Sequence, residues 1–270
     1  MKPKSDSSNS TLRTYQKGRT QLLEKLTMAL KADARVAAAW LWGSLGRGNG
    51  DALSDLDLWV VVGDADAQAV IAERQDFVRR FWQTLFVLEG PRNAPDNGAY
   101  LMSIYQGSIA PYQVDWYWQP LSEASVPPGT RVLFDKAGLP SADAPYAFSG
   151  KSDVPNPTPE LEHQIHFFWI MLMIAAKYTY REPYAEEMDM LLIVLHAFEA
   201  TYHMCGKSPV IVYSDQQPTP EAKLNTLYAL ANQLKKILDQ CEGSTIENLA
   251  ESERAVDRYL KLIREVLADR

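Results

Sequence analysis

Hydrophobic positions in the first half of the chain alternate between short strand-like runs and helix-spaced stretches. Residues 36–42 form an apolar run typical of a buried strand, and residues 56–62 are rich in β-branched and aromatic side chains. Residues 11–32 and 65–84 carry apolar side chains at helical spacing, after a polar lead-in over residues 1–10 that we expect to be disordered. The pattern therefore predicts a helix, two strands and a second helix.

Further strand-like runs follow the second helix. They span residues 85–89, 99–105, 112–118 and 131–134. A segment rich in Pro, Asn and Gly separates the first two of these runs. Strand, helix and strand followed by adjacent strands predict a mixed sheet with helices packed on it.

The second half of the chain has helical periodicity and almost no strand signal. Residues 138–158 are rich in Pro, Ser, Ala and Asp and have no periodicity, which is typical of a linker. Helices are predicted beyond it over residues 158–181, 183–204, 219–241 and 245–268. The predicted fold class is therefore α+β, with a mixed-sheet domain over residues 11–140, a linker over 141–157 and a helical bundle over 158–270.

Candidate chemistry lies between the first two strands. Asp55 and Asp57 stand two apart at the start of the second strand, so both carboxylates face the same way and the two Cα atoms are about 6.6 Å apart. Carboxylate oxygens are the ligands that Mg²⁺ prefers, and two such ions form the clamp used for phosphoryl displacement. Glycines in the preceding loop would let backbone N–H groups approach a phosphate, and Ser44 adds a hydroxyl. The glycines are Gly43, Gly46, Gly48 and Gly50. Taken separately, two such acids or a glycine-rich loop are common and are more often structural.

In the order strand, Gly43-Ser44, glycine loop, Asp55-Leu56-Asp57, strand, the chain resembles the nucleotidyltransferase superfamily that includes DNA polymerase beta. The resemblance implies that the Gly-Ser turn holds the phosphates of a nucleotide and that the two acids hold metal ions. A small catalytic domain followed by a helical bundle is similar to the aminoglycoside and lincosamide nucleotidyltransferases. The first domain would then be the nucleotidyltransferase domain.

A third metal ligand and a general base are also implied by this resemblance. Asp115 is a lone charge in an aromatic strand. The strand pattern alone is equally consistent with a side chain that faces solvent and with one at the site. The resemblance favours the site, because the family carries a third carboxylate on a later strand. Glu89, at the end of another strand, is the candidate base, because some antibiotic-modifying members place a glutamate there. An ordinary strand-end glutamate is the alternative, and Glu186 and Glu187 are rival bases.

Further groups are candidates for binding the triphosphate. Arg47 lies in the glycine loop, Ser54 precedes the first acid, and Lys177 and Arg181 stand one helical turn apart at the end of a long helix. Exposure to solvent is the simpler interpretation of Arg47. Cations at a helix C-terminus are favoured by the helix dipole alone, which is the simpler interpretation of Lys177 and Arg181.

The composition and charge of the chain indicate which kinds of partner it favours. The chain has 270 residues, 46% of them hydrophobic, a net charge of −7 and a pI near 5.2. An acidic chain is a poor general binder of nucleic acid and weakly favours a cationic partner. The N-terminal residues are polar and do not resemble a signal peptide, and the most apolar run is too short to cross a membrane. The two cysteines form no paired motif. We therefore expect a cytoplasmic protein.

The expected function is transfer of a nucleoside monophosphate, with AMP favoured, from an NTP to a hydroxyl of a small molecule. An aminoglycoside or lincosamide antibiotic would be the acceptor, with two Mg²⁺ ions, ATP or another NTP as co-substrate, and pyrophosphate as product. Antibiotic resistance would be the role. The alternatives are nucleotidylation of a protein or RNA, and a nucleotide-binding module without turnover. Because the family often builds its cleft between subunits, a homodimer is also open.

Overall fold

The structure is a computed structural model that describes residues 6–145, 160–181, 190–208, 219–240 and 249–269. The chain divides into two compact units. One unit is Arg13–Pro157, and the other combines Met1–Leu12 with Thr158–Arg270. The predicted linker lies mostly outside the described residues.

A six-stranded mixed sheet forms the centre of the first unit. Its strands are β1 Val36–Leu41, β2 Leu56–Val62, β3 Thr84–Glu89, β4 Ala99–Tyr105, β5 Tyr112–Pro120 and β6 Arg131–Asp135. Their order across the sheet is β3-β4-β5-β2-β1-β6. The β2–β5 pairing is parallel and the other pairings are antiparallel. The predicted α+β class with a mixed sheet is confirmed.

The helices of this part of the chain differ from the prediction at three places. They are α1 Asp6–Ala32, α2 Gly43–Gly46, α3 Asp64–Ala72 and α4 Arg74–Arg79. The lead-in was predicted to be disordered, but α1 already begins at Asp6, within a Ser- and Asn-rich stretch whose low helix propensity hides the boundary. The predicted helix over 65–84 is broken at Glu73, and α2 replaces part of the predicted loop.

One face of the sheet is covered by helices. Trp116 and Trp118 alternate with polar positions along β5, and both are fully buried. Phe77 of α4 meets their rings edge-on, with centroids 6.4 and 6.3 Å away, and Phe81 stacks on Trp116 at 5.9 Å. Edge-on and offset contacts of this kind are the favoured geometries for aromatic rings. We call this side the helix face.

The opposite face carries a row of four aromatic rings from four neighbouring strands. Trp40 pairs with Trp59, Trp59 with Tyr117, and Tyr117 with Tyr100 in the strand register. Successive ring centroids lie 5.8, 5.0 and 4.9 Å apart, and each residue is at most 4% exposed. We call these rings the aromatic row. Direct pairing brings these neighbouring rings into contact, so their packing favours the observed register of the four strands.

The second unit is helical in all its described parts. Its helices are α5 Leu161–Arg181, α6 Met190–Met204, α7 Pro220–Leu238 and α8 Leu249–Ala268. α5 packs against the other three and is buried along most of its length. Thr219 caps α7 by accepting a hydrogen bond from the N–H of Ala222 at 3.2 Å, as its Thr-Pro-Glu sequence predicts. No helix in the described ranges is long and apolar enough to cross a membrane.

We expect Trp59→Ala to lower the free energy of unfolding by about 3–5 kcal/mol, because it removes a buried ring from the middle of the aromatic row. Urea denaturation followed by far-UV circular dichroism measures this change. Met28→Ala is the control, since Met28 is 72% exposed and its loss should change stability by less than about 0.5 kcal/mol. Equal effects of the two substitutions would show that the row does not stabilise the sheet.

Candidate active site

The Gly-Ser turn lies directly against one of the predicted catalytic acids. The N–H of Trp42, which follows β1, donates to the backbone carbonyl of Asp57 at 2.9 Å. The next residue, Gly43, turns the chain with φ +63°, a conformation that favours glycine. A Cβ on Gly43 would overlap the Oδ2 atom of Asp57. Glycine is therefore required here both for the backbone turn and for the space that the carboxylate occupies.

The rest of the glycine loop is not the open phosphate cradle that the sequence predicted. The N–H groups of Gly46 and Arg47 donate to Trp42 and Gly43, which closes the short helix α2. The N–H of Gly48 donates to Leu45 at 3.4 Å. These donors are used to fold the loop, because backbone N–H groups pair locally where the chain can bend to meet them. Binding of a phosphate by this loop stays a prediction.

Two of the three predicted acids lie side by side. Asp57 in β2 and Asp115 in β5 are direct partners in the parallel register. Direct partners in adjacent strands are about 4.8 Å apart and their side chains point to the same face. The Asp115 side chain is 9% exposed, whereas Asp57 is half-buried. We call the face that carries both carboxylates the acid face. The aromatic row lies on the same face, because Trp59 and Tyr117 follow Asp57 and Asp115 by two residues in their strands.

The third acid does not complete a group. Asp55 is half-buried and lies in the extended segment immediately before β2. Within the part of the chain that the structure describes, no three His, Cys, Asp or Glu side chains are arranged to hold a metal ion. The predicted convergence of Asp55, Asp57 and Asp115 is therefore not seen. Three like charges repel one another at short range, which opposes their close approach.

Two neutral polar side chains surround Asp115, and the sequence analysis missed both. The Nε2 of Gln113 donates to the Oδ1 of Asp115 at 2.9 Å. Burial raises the pKa of the Tyr100 phenol well above its usual value, and the nearby carboxylate of Asp115 raises it further, with a smaller contribution from Asp57. Tyr100 is thus a protonated, neutral neighbour of the carboxylate pair. The signal for Gln113 was its i, i+2 spacing from Asp115, whereas Tyr100 is placed only by sheet pairing.

A buried arginine shapes the segment that leads into the first acid. Arg19 of α1 is 5% exposed, and its Nη1 donates to the carbonyl oxygens of Asp51, Ala52 and Ser54 at 2.9, 3.3 and 2.5 Å. A guanidinium satisfies several carbonyls that would otherwise be buried unpaired. Sequence reasoning gave no signal for this role, because Arg19 is a single polar residue on an amphipathic helix.

Ser54 belongs to the same loop and is used inside it. Its Oγ accepts the N–H of Asp51 at 2.9 Å and lies 3.1 Å from both the Oγ of Ser44 and the Oδ1 of Asp51. The residue is only 2% exposed. Its hydroxyl is buried and bonded within the loop, and its contact with a phosphate stays a prediction.

The predicted base, Glu89, lies on the other side of the sheet. Glu89 pairs with Leu101 in β4, which pairs with Trp116 in β5, so its side chain shares the helix face. Its carboxylate accepts hydrogen bonds from Arg74 at 2.9 Å and from Gln75 at 3.0 Å, both in α4. Glu89 therefore faces away from Asp57 and Asp115, which does not support its predicted role as the base. Glu186 and Glu187, the rival bases, lie outside the described residues.

The predicted phosphate-binding cations are placed but not tested. Arg47 is exposed, and its side chain lies against the turn at Gly129. In the helical unit, Lys177 is 4% exposed, and the guanidinium of Arg181 lies 5.7 Å from the ring centroid of Tyr178. Their role toward a triphosphate stays a prediction.

Comparison with known proteins adds only weak structural likeness. No protein family and no curated protein matches the sequence. Among solved structures, a STING-associated CdnE c-di-GMP synthase from Capnocytophaga granulosa is 11% identical, with 94% of this chain and 81% of that chain covered and a TM-score of 0.28. Values this low establish neither a shared fold nor a shared activity.

We expect Gly43→Ala to destabilise the protein more than Gly48→Ala does. Both residues have positive φ, +63° and +77°, so both substitutions bear a backbone strain of about 1–2 kcal/mol. Only at position 43 would the new methyl group also displace the Asp57 carboxylate, since nothing lies within 4 Å of the Cβ position at Gly48. Chemical denaturation of the two variants compares them, and equal losses of stability would contradict the contact between Gly43 and Asp57.

The raised pKa of Tyr100 predicts a loss of stability at alkaline pH. The unfolded chain releases the phenolic proton near pH 10, whereas the folded protein retains it, so the contribution of Tyr100 is complete below that pH and declines above it. Tyr100→Phe should therefore make the fall in unfolding free energy above pH 10 less steep. The slope of unfolding free energy against pH between pH 7 and 9 should stay unchanged. Urea denaturation across these pH values measures both slopes, and identical alkaline slopes would contradict this environment.

Proposed function

We propose that this protein is a metal-dependent nucleotidyltransferase that moves a nucleoside monophosphate from an NTP to a hydroxyl group of a small molecule and releases pyrophosphate. The observation that carries the proposal is the direct pairing of Asp57 with Asp115 beside the Gly43 turn. Two paired carboxylates add nothing to the stability of a sheet by themselves, because like charges placed opposite each other are destabilising. Their placement supports a role in binding a cation.

The residues present suit Mg²⁺ by the chemistry of their donor atoms. Mg²⁺ takes oxygen ligands and is usually held by one or two carboxylates together with the phosphates of a substrate. Asp57 and Asp115 would supply those carboxylates, and Asp55, two positions before Asp57, would serve a second ion. When bound with NTP, such an ion neutralises charge on the phosphate oxygens and polarises the phosphorus for attack.

The surrounding residues support the same use of the site. Gly43 leaves the Asp57 carboxylate accessible to a ligand that approaches the turn, since a side chain there would occupy the same volume. Ser44, beside it, carries a half-buried hydroxyl at the start of α2. The neutral side chains of Gln113 and Tyr100 border the pair without cancelling its charge. The two carboxylates would attract an NTP–Mg²⁺ complex through its metal.

The acceptor is proposed on weaker grounds. The arrangement resembles aminoglycoside and lincosamide nucleotidyltransferases, and the net charge of −7 favours a cationic acceptor. AMP is the group we expect to be transferred. The proton of the acceptor hydroxyl needs a base other than Glu89, whose carboxylate bonds to α4 on the helix face.

The proposal is tested by incubating the protein with α-labelled NTPs, Mg²⁺ and a panel of aminoglycosides and lincosamides. We expect Mg²⁺-dependent pyrophosphate release and a labelled small-molecule product. Asp57→Asn and Asp115→Asn should each lower the rate by about a hundredfold or more, because each removes a charge that would hold the metal. Asp76→Asn, on the exposed surface of α4, is the control and should leave the rate unchanged.

The outcomes separate the alternatives. Undiminished transfer by Asp57→Asn would contradict the proposal. A labelled product with the mass of a protein or RNA would replace the small-molecule acceptor by a macromolecule. Mg²⁺-dependent NTP binding without pyrophosphate release, on any acceptor, would instead indicate a binding module.

A further inference from the structure

Gln113 occupies an unusual position beside the carboxylate pair. It precedes Asp115 by two residues in β5 and therefore lies on the same face of the sheet. Its Nε2 donates to the Oδ1 of Asp115 at 2.9 Å and lies 3.8 Å from the sulfur of Met102, the residue that pairs with Asp115 in β4. Gln113 is thus in contact with the buried acid and with the residue across from it.

The hydrogen bond matters because the Asp115 side chain is only 9% exposed. A buried carboxylate needs hydrogen-bond donors to replace the water it has lost, because an unpaired buried polar group is costly. A lysine or arginine in this place would supply them, but its positive charge would occupy the role of a metal ion. A glutamine amide donates a hydrogen bond and carries no net charge, so it orients the carboxylate without neutralising it.

We infer that Gln113 is a positioning residue that holds the Asp115 carboxylate in the orientation needed to share a divalent cation with Asp57. This inference rests on the proposed function, because it assumes that the pair binds a metal ion. Side chains that orient metal ligands by hydrogen bonds commonly change metal affinity or activity by about 10–100-fold when they are removed. Gln113 acts through Asp115 and is given no contact with the substrate.

The same strand offers a matched control. Gln119 lies six residues later on the same face, and like Gln113 it is half-buried. Its Oε1 accepts the indole N–H of Trp59 at 3.1 Å, and its Nε2 donates to the carbonyl of Glu123 at 2.9 Å. Gln119→Met therefore removes a glutamine amide from β5 without removing a bond to a carboxylate.

The test measures Mn²⁺ binding by electron paramagnetic resonance in the presence of a non-hydrolysable ATP analogue. We expect Gln113→Met, which keeps the length of the side chain and loses its N–H groups, to raise the Kd for Mn²⁺ about tenfold. The Mg²⁺ concentration that half-saturates transfer should rise by a similar factor, while kcat at saturating Mg²⁺ largely recovers. Gln119→Met should leave both quantities at the wild-type value. If Gln113→Met does not fold, Gln113→Asn, whose amide is one methylene too short to reach, should show the same rise.

Each outcome decides one of the two proposals. Wild-type affinity in the Gln113 variant, or equal losses in the Gln113 and Gln119 variants, would overturn the positioning role. The wild-type protein could bind Mn²⁺, lose that binding in Asp57→Asn, and yet show no transfer. That result would overturn the proposed reaction, and the Mn²⁺ affinity of the Gln113 variant alone would then decide the role of Gln113. A wild-type protein that binds no Mn²⁺ would overturn both.

Discussion

The parallel pairing of β2 with β5 is the constraint on which the candidate site depends. This pairing sets Asp57 beside Asp115 on one face and Leu58 beside Trp116 on the other. A slip of one residue would move Asp115 to the helix face and bury a carboxylate among aromatic rings, which costs several kcal/mol without a partner. The site is therefore a consequence of the register rather than of a flexible loop.

The aromatic row is what holds that register. Trp59 and Tyr117 stack with centroids 5.0 Å apart, two positions along the strands from Asp57 and Asp115. Because this alignment brings the rings into contact, the hydrophobic core and the carboxylate pair depend on the same pairing. Stability and site geometry are coupled here, so large losses of core packing should also disturb the acids.

The contacts of the pair include a close approach of the backbone and a neutral hydrogen-bond donor. Gly43 gives the Asp57 carboxylate room, and Gln113 donates to Asp115. Arg19, which is 5% exposed, is directed at backbone carbonyls of the loop before Asp55. Its guanidinium therefore stabilises the segment that leads into the first acid.

Much of the sheet could be predicted from the sequence, because local patterns carried it. β2 and β4 were predicted with their observed bounds, since β-branched and aromatic runs are bounded by turn residues there. The face on which Glu89 lies could not be predicted, because it depends on the pairing of β3 with β4, a contact between distant segments. For the same reason Arg19 was missed: its partners stand more than thirty residues away, and no local pattern connects them.

The most direct test of the account is a crystal structure of the protein soaked with Mn²⁺ and a non-hydrolysable NTP analogue, with the metal located by anomalous scattering. The account predicts a peak bound by the carboxylates of Asp57 and Asp115 together, next to the Gly43 turn. A metal located elsewhere on the chain, with these two carboxylates turned away from each other, would contradict it.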